Sequence, residues 1–256
     1  SVNNMFICCQ VLIGRQIKMD NQTVRLHNFR GFSLQSNYSN SVLEFLTEEI
    51  FNHQVYHFKT EKKQPIILDV GANIGLSSLY FKELYPLCTI VALEPDPDNF
   101  KLLTANLRDE DVKLVQVAAS NCKGKMPFFT NADSDYTLPV SSLYKNEFSN
   151  QKIEVEVIDF AEMVNSFEEI DLCKIDVEGE ESNIIDSLLK GQCLTTVNEY
   201  IIEYHSWINQ KFTLTEIIEI FELKNFVFTM IKEEVKDKEW SVSGTTILNF
   251  KKSKLC

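Results

Sequence analysis

Pro65-Ile66-Ile67-Leu68-Asp69-Val70-Gly71-Ala72-Asn73-Ile74-Gly75 is the stretch that decides the fold. Its first half is an apolar run of strand length that does not alternate with polar residues, the mark of a strand buried on both faces. The run breaks at Gly71, and a helical pattern follows from Gly75 to Tyr85. Thr89–Leu93 repeats the buried-strand pattern, Asp98–Leu107 the helical one, and Val112–Ala118 supplies a third strand. Strands separated by helices of roughly ten residues predict a parallel α/β sheet with helices on both faces. The alternation resumes with a strand at Ile170–Val177, a helix at Glu180–Lys190, a strand at Glu199–His205 and a helix at Thr215–Leu223. Phe226–Ile231 and Gly244–Phe250 are separated only by a hairpin-length polar stretch, so the last pair is expected to be antiparallel.

Outside this region the pattern is different. Residues 1–36 mix short apolar stretches with turn residues and read as β-rich, and Ser41–Phe58 reads as an amphipathic helix. The expected organisation is an N-terminal segment over 1–60, packed on a larger domain over 61–256. Lys125–Phe129 and Ile153–Val157 read as short strands around the loop Thr130–Asn150. That loop is long for a compact domain and is a candidate substrate lid, with Asp133, Ser134, Asp135, Tyr136, Ser141 and Ser142 suited to a polyol.

The balance of 25 Lys and Arg against 37 Asp and Glu gives a net charge of −12 over 256 residues. Such a chain repels a phosphate backbone, which excludes nucleic acid as the expected partner. No apolar run reaches the roughly 18 residues of a membrane span and no secretory leader is visible, so no membrane partner is expected. The 7 cysteines form no C-x-x-C pair and no zinc-finger spacing, which points to a reducing, cytoplasmic setting and to no metal site of that type. The chain opens at Ser1 instead of a methionine, so its native start is expected upstream.

The glycine loop sits at the first strand-to-helix turn, where an open α/β sheet binds a nucleotide. Its spacing is G-x-x-x-G, with Asn73 and Leu76 where the dinucleotide fingerprint needs glycine. Asp69 at its mouth would repel a diphosphate. Glu94, nineteen residues past Gly75, ends the second strand and can accept hydrogen bonds from ribose hydroxyls. An adenosine cofactor bearing positive charge in place of phosphate fits these residues, and S-adenosyl-L-methionine is such a molecule.

These segments resemble the FkbM family of methyltransferases. The likeness rests on Asp69–Gly75, on Glu94-Pro95-Asp96-Pro97 with Asn99-Phe100, and on Lys174-Ile175-Asp176-Val177-Glu178-Gly179-Glu180, within about residues 65–206. It implies a seven-stranded Rossmann-like class I methyltransferase fold with the last strand antiparallel, and O-methylation of a hydroxyl on a sugar or natural-product small molecule. It also implies that Asp69, Gly71, Asn73 and Gly75 line the methionine part and that Glu94 holds the ribose. Ala119 and Asn121, in Ala118-Ala119-Ser120-Asn121, would flank adenine.

Asp176 and Glu178 lie two apart at one strand end, and Glu203 and His205 two apart at the end of the next. Neighbouring strands would bring all four to the carboxyl edge of the sheet beside the cofactor, with Asp176 touching both. A hydroxyl needs its proton removed, so His205 or Asp176 is the expected base, with Glu178 and Glu203 orienting it. The same oxygens could instead hold Mg²⁺ or Mn²⁺. N-methylation, a nicotinamide-dependent oxidoreductase and a non-catalytic binding module remain competing readings, and a homodimer is the oligomeric state to test.

Overall fold

The structure is a computed structural model that describes residues 16–19, 22–130, 141–145, 149–206, 208, 210–234 and 244–253. The chain opens with strands β1 (Gln16–Met19), β2 (Gln22–Phe29) and β3 (Phe32–Ser36), an antiparallel three-stranded sheet. Helix α1 (Asn40–Thr47) follows, its N-terminus capped by the Ser39 side chain, which accepts from the Val42 amide. A five-residue π-helical turn, Glu48–Asn52, continues it. The helix anticipated over Ser41–Phe58 therefore ends early, and Gln54 in the left-handed region (φ 55°) turns the chain so that 54–58 run irregularly.

The central layer is built from β4 (Ile66–Val70), α2 (Leu76–Leu84), β5 (Thr89–Leu93), α3 (Pro97–Asn106) and β6 (Val112–Val115). A side sheet comes next, from β7 (Ala118–Ser120), β8 (Gly124–Thr130) and β9 (Gln151–Asp159). The chain then returns through α4 (Phe160–Val164), β10 (Ile170–Ile175), α5 (Glu181–Lys190), a short 3₁₀ turn, β11 (Val197–His205), α6 (Leu214–Leu223), β12 (Phe226–Glu234) and β13 (Thr245–Lys252). The seven-stranded sheet has the order β12-β13-β11-β10-β4-β5-β6. Only β13 runs against the rest, antiparallel to both β11 and β12. This is the seven-stranded, mostly parallel sheet with an antiparallel last strand expected from the sequence.

Two details depart from the expectation. The strand read over Val112–Ala118 is two strands: β6 ends at Val115, and β7 joins the side sheet, parallel to β9. The strands foreseen at Lys125–Phe129 and Ile153–Val157 are the cores of β8 and β9, paired antiparallel over their length.

The unbroken apolar strands are explained by burial on both faces. Ile67, Ile90, Leu172 and Ile201 point into one apolar cluster, shared with Phe29, Leu34, Leu43 and Phe51 of the N-terminal segment and with Leu79 and Leu103. Their neighbours Leu68, Val91, Cys173 and Ile202 point into a second cluster with Phe160, Ile184, Ile185 and Phe221. The sheet is thus covered on both sides, as a parallel sheet requires. The strand order reverses between β4 and β10, and a crevice opens at the carboxyl ends of these strands. Among the described residues, no helix is long and apolar enough to cross a membrane.

Candidate active site

The glycine loop is shaped by contacts inside the protein. Gly71 has φ 79°, and a Cβ placed on it would fall 1.7 Å from the carbonyl oxygen of Asp176. Only glycine lets the ends of β4 and β10 approach this closely. The Gly71 and Ala72 amides donate to the Leu93 carbonyl at 3.0 and 2.9 Å, which pins the loop against β5. Asn73 also lies in the left-handed region (φ 52°), and its side-chain oxygen accepts from the Ile74 amide at 2.7 Å and from the Tyr38 hydroxyl at 2.5 Å.

Glu94 is the acid of this loop that faces the crevice. It is buried, and one carboxylate oxygen accepts from the Asn73 amide at 2.8 Å while the other accepts from the Asp96 amide at 2.9 Å. Burial, and then the charge of Asp96, push its pKa up to about 8 against these two donors. A carboxylate has about four acceptor positions, so Glu94 keeps capacity for further donors on its open side.

Three residues expected to line the cofactor lie elsewhere. Asp69 is fully buried beneath the loop, where the hydroxyls of Ser77 and Ser78 each donate to its Oδ2 at 2.6 Å. Alternation along β4 sends Val70 toward the crevice and Asp69 to the other face, under the first turn of α2, where the helix dipole favours a carboxylate. Gly75 caps α2 with φ 98°, and a Cβ there would meet Leu103 at 3.0 Å, so it serves the packing of α2 on α3. The Asn121 amide is turned away, donating to Asp186 at 2.9 Å and to Asn183 at 3.3 Å. Gly71, Asn73, Glu94, Ala119 and Asp176 do line the crevice, which encloses about 600 Å³ including its open mouth. Val117, Ala118, Phe128 and Leu143 make one wall of it apolar.

The four groups expected at the strand ends do converge. Parallel pairing of β10 with β11 sets their carboxyl ends side by side. Glu178 follows β10 with φ 54°, a strained conformation for a residue with a side chain, and that turn aims it at His205. The imidazole Nε2 lies 3.3 Å from Glu178 and 3.9 Å from Glu203, and Nδ1 lies 2.8 Å from Glu181. Burial alone would lower the pKa of His205, but the charges of Glu178 and Glu181 override it and raise the pKa well above the ordinary value. Both ring nitrogens face carboxylates, an arrangement that favours the charged form of the ring. Asp176, Glu178 and His205 offer ligand atoms within 4.8 Å of one another, a set that could hold a metal ion.

The carboxylates carry the opposite perturbation. Burial raises Glu178 to about 7, opposed by His205, and burial together with Asp176 raises Glu203 to about 8. These protons belong to a coupled cluster instead of to single residues.

Several participants were invisible to the sequence reading. Tyr56, in the irregular stretch after the π-helical turn, shares its hydroxyl proton between Glu203 at 2.9 Å and Asp176 at 3.2 Å. Lys174 is buried below Asp176, with its ammonium 3.3 Å from Asp176 and 3.5 Å from Asp69 and the Tyr56 ring 5.2 Å away. A lysine inside the buried run Ile170–Ile175 was the one signal available for it, since such a charge needs a partner. Glu180 and Glu181 read in sequence as acids at a helix start, yet both are buried and Glu181 holds His205. Of the candidate lid, Ser141 donates to Asp96 at 3.3 Å and Ser142 to the Glu178 carbonyl at 2.6 Å. Asp133, Ser134, Asp135 and Tyr136 lie outside the described residues.

Comparison with known proteins bears on this site. The profile of the methyltransferase FkbM domain matches residues 69–228. Methyltransferase sdnD of Sordaria araneosa is 32% identical over 174 residues, covering 56% of this chain and 67% of that protein. The 2-O-methyltransferase NoeI of Sinorhizobium fredii is 31% identical over 140 residues, covering 49% of this chain and 58% of that protein. Among solved structures, a methyltransferase FkbM from Methylobacillus flagellatus KT superposes with a TM-score of 0.50 at 13% identity. That superposition covers 75% of this chain and 45% of the other, so the chain spans less than half of that solved protein.

Proposed function

The chain belongs to the FkbM methyltransferase family and is an S-adenosylmethionine-dependent methyltransferase; from that premise we propose that it methylates a hydroxyl oxygen on a sugar or natural-product small molecule. The observation that carries this reading is that one crevice connects Glu94 and the glycine loop to Asp176 and Glu178. A cofactor seated at the first pair would present its reactive end to the second.

The residues present fit the cofactor. Glu94 keeps acceptor capacity for two ribose hydroxyls, and its environment is buried enough for those bonds to matter. The apolar wall at Val117–Ala119, Phe128 and Leu143 suits a flat purine. Asp176, with Gly71 and Asn73, faces where the methionine ammonium and sulfonium would lie, and carboxylate charge complements both. Asp69, Gly75 and Asn121 act from behind as positioning residues. When bound, the cofactor supplies a methyl group on a positively charged sulfur, an electrophile that needs no metal.

The protein's own task is to align an oxygen with that methyl and to remove its proton. We assign the proton to Glu178, which borders the crevice and is poised near neutral pH. His205 stays an imidazolium, donating to Glu178 and Glu181, and fixes the carboxylate's direction without accepting the proton itself. Glu203 and the Tyr56 hydroxyl stand behind the crevice rim, where Tyr56 donates to Glu203 and to Asp176 and holds the acids in place. The larger part of the rate is expected from alignment, worth up to roughly 7–11 kcal/mol in well-oriented systems. The 2-O-methyltransferase named above supports oxygen as the target, and a net charge of −12 favours a neutral or cationic acceptor over a nucleic acid.

The test is incubation of the protein with S-adenosylmethionine bearing a deuterated methyl group and a panel of glycosides and hydroxylated small molecules, followed by fragmentation mass spectrometry. The label is expected on a hydroxyl oxygen. A label found only on nitrogen would overturn the assignment.

A further inference from the structure

One buried carboxylate gathers hydrogen bonds from three separate stretches of chain around the acids. Glu181 is the first residue of α5 and is fully buried. Its Oε1 meets Nδ1 of His205, at the end of β11, at 2.8 Å and accepts from the amide of Gly179, in the turn after β10, at 3.0 Å. Its Oε2 accepts from the side-chain amide of Gln210, in the loop after β11, at 2.7 Å. The start of a helix favours the ionised form of such a group, and an ionised carboxylate only accepts, so Nδ1 of the ring bears a hydrogen.

These contacts depend on one another. Gly179 follows Glu178 directly, so a held Gly179 amide fixes the turn on which Glu178 takes its φ of 54°. With Nδ1 tied to Glu181, Nε2 is the nitrogen presented to Glu178, 3.3 Å away. Gln210 closes the arrangement, since its amide also donates to the His205 carbonyl at 2.8 Å and its oxygen accepts from the Ser182 amide at 3.0 Å. The loop after β11 lies against the same turn, with the Ile208 side chain packed where a Cβ on Gly179 would stand. Neither Glu181 nor Gln210 borders the crevice.

We propose that Glu181 is the positioning residue of the proton-accepting pair: one carboxylate holds both the His205 imidazole and the turn that carries Glu178, and Gln210 fastens it from the loop after β11. This rests on the reading above in which Glu178 takes the proton, and it extends the reaction centre to two residues that touch neither cofactor nor acceptor. A displacement of about 1 Å from a change remote from the chemistry can cost roughly a hundredfold in rate.

The experiment compares the intact wild-type protein with Glu181→Gln, whose single side-chain oxygen cannot serve His205 and Gly179 on one side and Gln210 on the other. The acceptor is the compound that takes the deuterated methyl group in the panel above. In the variant, kcat is expected to fall at least tenfold, with KM for the acceptor within threefold and S-adenosylhomocysteine affinity within twofold. The stoichiometry of that calorimetric titration counts the competent molecules, so a misfolded fraction does not imitate the effect. Proton NMR of ¹⁵N-labelled protein supplies the second measurement. The Nδ1–H signal of His205, assigned by its loss in His205→Gln, should shift or vanish in Glu181→Gln. Gln210→Leu leaves the carboxylate in place and carries the test if Glu181→Gln does not fold: kcat should fall at least threefold and the same signal should shift. Turnover within twofold of wild type in the folded variants, an unmoved Nδ1–H signal, or a parallel loss of S-adenosylhomocysteine affinity overturns the role of Glu181 and leaves the function reading standing. A label found on nitrogen overturns the oxygen reading alone, because the same kcat comparison still decides the role of Glu181. Transfer to no acceptor by the wild type overturns both.

Discussion

Lys174 donates a 2.7 Å hydrogen bond to the carbonyl oxygen of Gly71, so one buried ammonium fastens the strand that bears the acids to the glycine loop. The same ammonium is the cation nearest to Asp69 and Asp176, at 3.5 and 3.3 Å. Burial disfavours its charge, yet Asp176 and Asp69 raise its pKa above the ordinary value. Lys174→Met would leave Asp69 as a buried charge without its counter-ion. Removing one partner of a buried pair typically costs about 3–5 kcal/mol. Urea unfolding should show a loss of that order, and a change below about 1 kcal/mol would mean that Asp69 is neutralised by other means.

Gly71→Ala is expected to cost more than an ordinary surface substitution. Its Cβ would overlap the Asp176 carbonyl, and its φ of 79° is unfavourable for alanine. Overpacking and backbone strain each carry about 1–3 kcal/mol. Thermal unfolding together with S-adenosylhomocysteine titration should show both a lowered midpoint and weakened binding. A variant with wild-type affinity would show that β4 and β10 can part without disturbing the crevice.

For Glu94→Gln, the amide group must face one of the two backbone N–H groups now satisfied by the carboxylate. Cofactor affinity should fall by about 1–3 kcal/mol, the usual cost of leaving a buried hydrogen-bonding group unsatisfied. Calorimetry with S-adenosylhomocysteine reads this directly, and unaltered affinity would remove Glu94 from ribose binding.

The cluster also fixes the sign of a pH effect. Glu178, Glu203 and Glu94 have pKa values raised to about 7, 8 and 8 from an ordinary 4.5. Each contributes stability that is full below the unfolded value and is lost as pH climbs through the folded one. His205, also raised, acts in the same direction, its contribution fading above its ordinary 6.5. Stability should therefore decline from about pH 4.5 to about pH 8, by up to ~1.4 kcal/mol per pH unit for each extra proton the folded state holds. Glu203→Gln removes one titrating group, so its unfolding midpoint should fall less over that range. An equal fall in the variant would place the titration elsewhere.

Tyr56→Phe separates binding from turnover. The hydroxyl contacts Glu203 and Asp176 but does not border the crevice. Affinity for S-adenosylhomocysteine should stay within about twofold. Methyl transfer should fall roughly ten- to hundredfold, as loss of about 1.5–3 kcal/mol from an orienting hydrogen bond implies. A parallel loss of both would make Tyr56 a structural residue.

Much of this architecture is legible in the chain because burial on two faces writes itself into sequence as unbroken apolar runs. Ile67 and Leu68 point into different clusters, and no polar residue could alternate with them. Gly71 and Glu94 were legible for a similar reason, since a tight turn and a strand-end acid have fixed spacings. The convergence of Asp176, Glu178, Glu203 and His205 followed from the expectation that their strands are neighbours. What spacing could not give was direction and company. Asp69 stands at the mouth of the loop in sequence, but the pleat turns it under α2. His205 is two residues from Glu203 in sequence, but the partner at its Nδ1 is Glu181, from another element. The strand read over Val112–Ala118 splits because the chain leaves one sheet for another, and no local propensity marks that exit. Tyr38 and Tyr56 reach the loop and the acids from 35 and 147 residues away in sequence, beyond any periodic signal.

The arrival of those two phenols has a practical corollary. Tyr38 steadies Asn73 and Tyr56 steadies Glu203, and both tyrosines precede residue 69, where the family match begins. A catalytic fragment cut to the limits of that match would keep the purine slot and every acid while losing two of the groups that hold them still. Grafting the front portion of a cousin onto this body would likewise exchange part of the reaction centre, so donors for such chimaeras are best chosen by whether they carry both phenols.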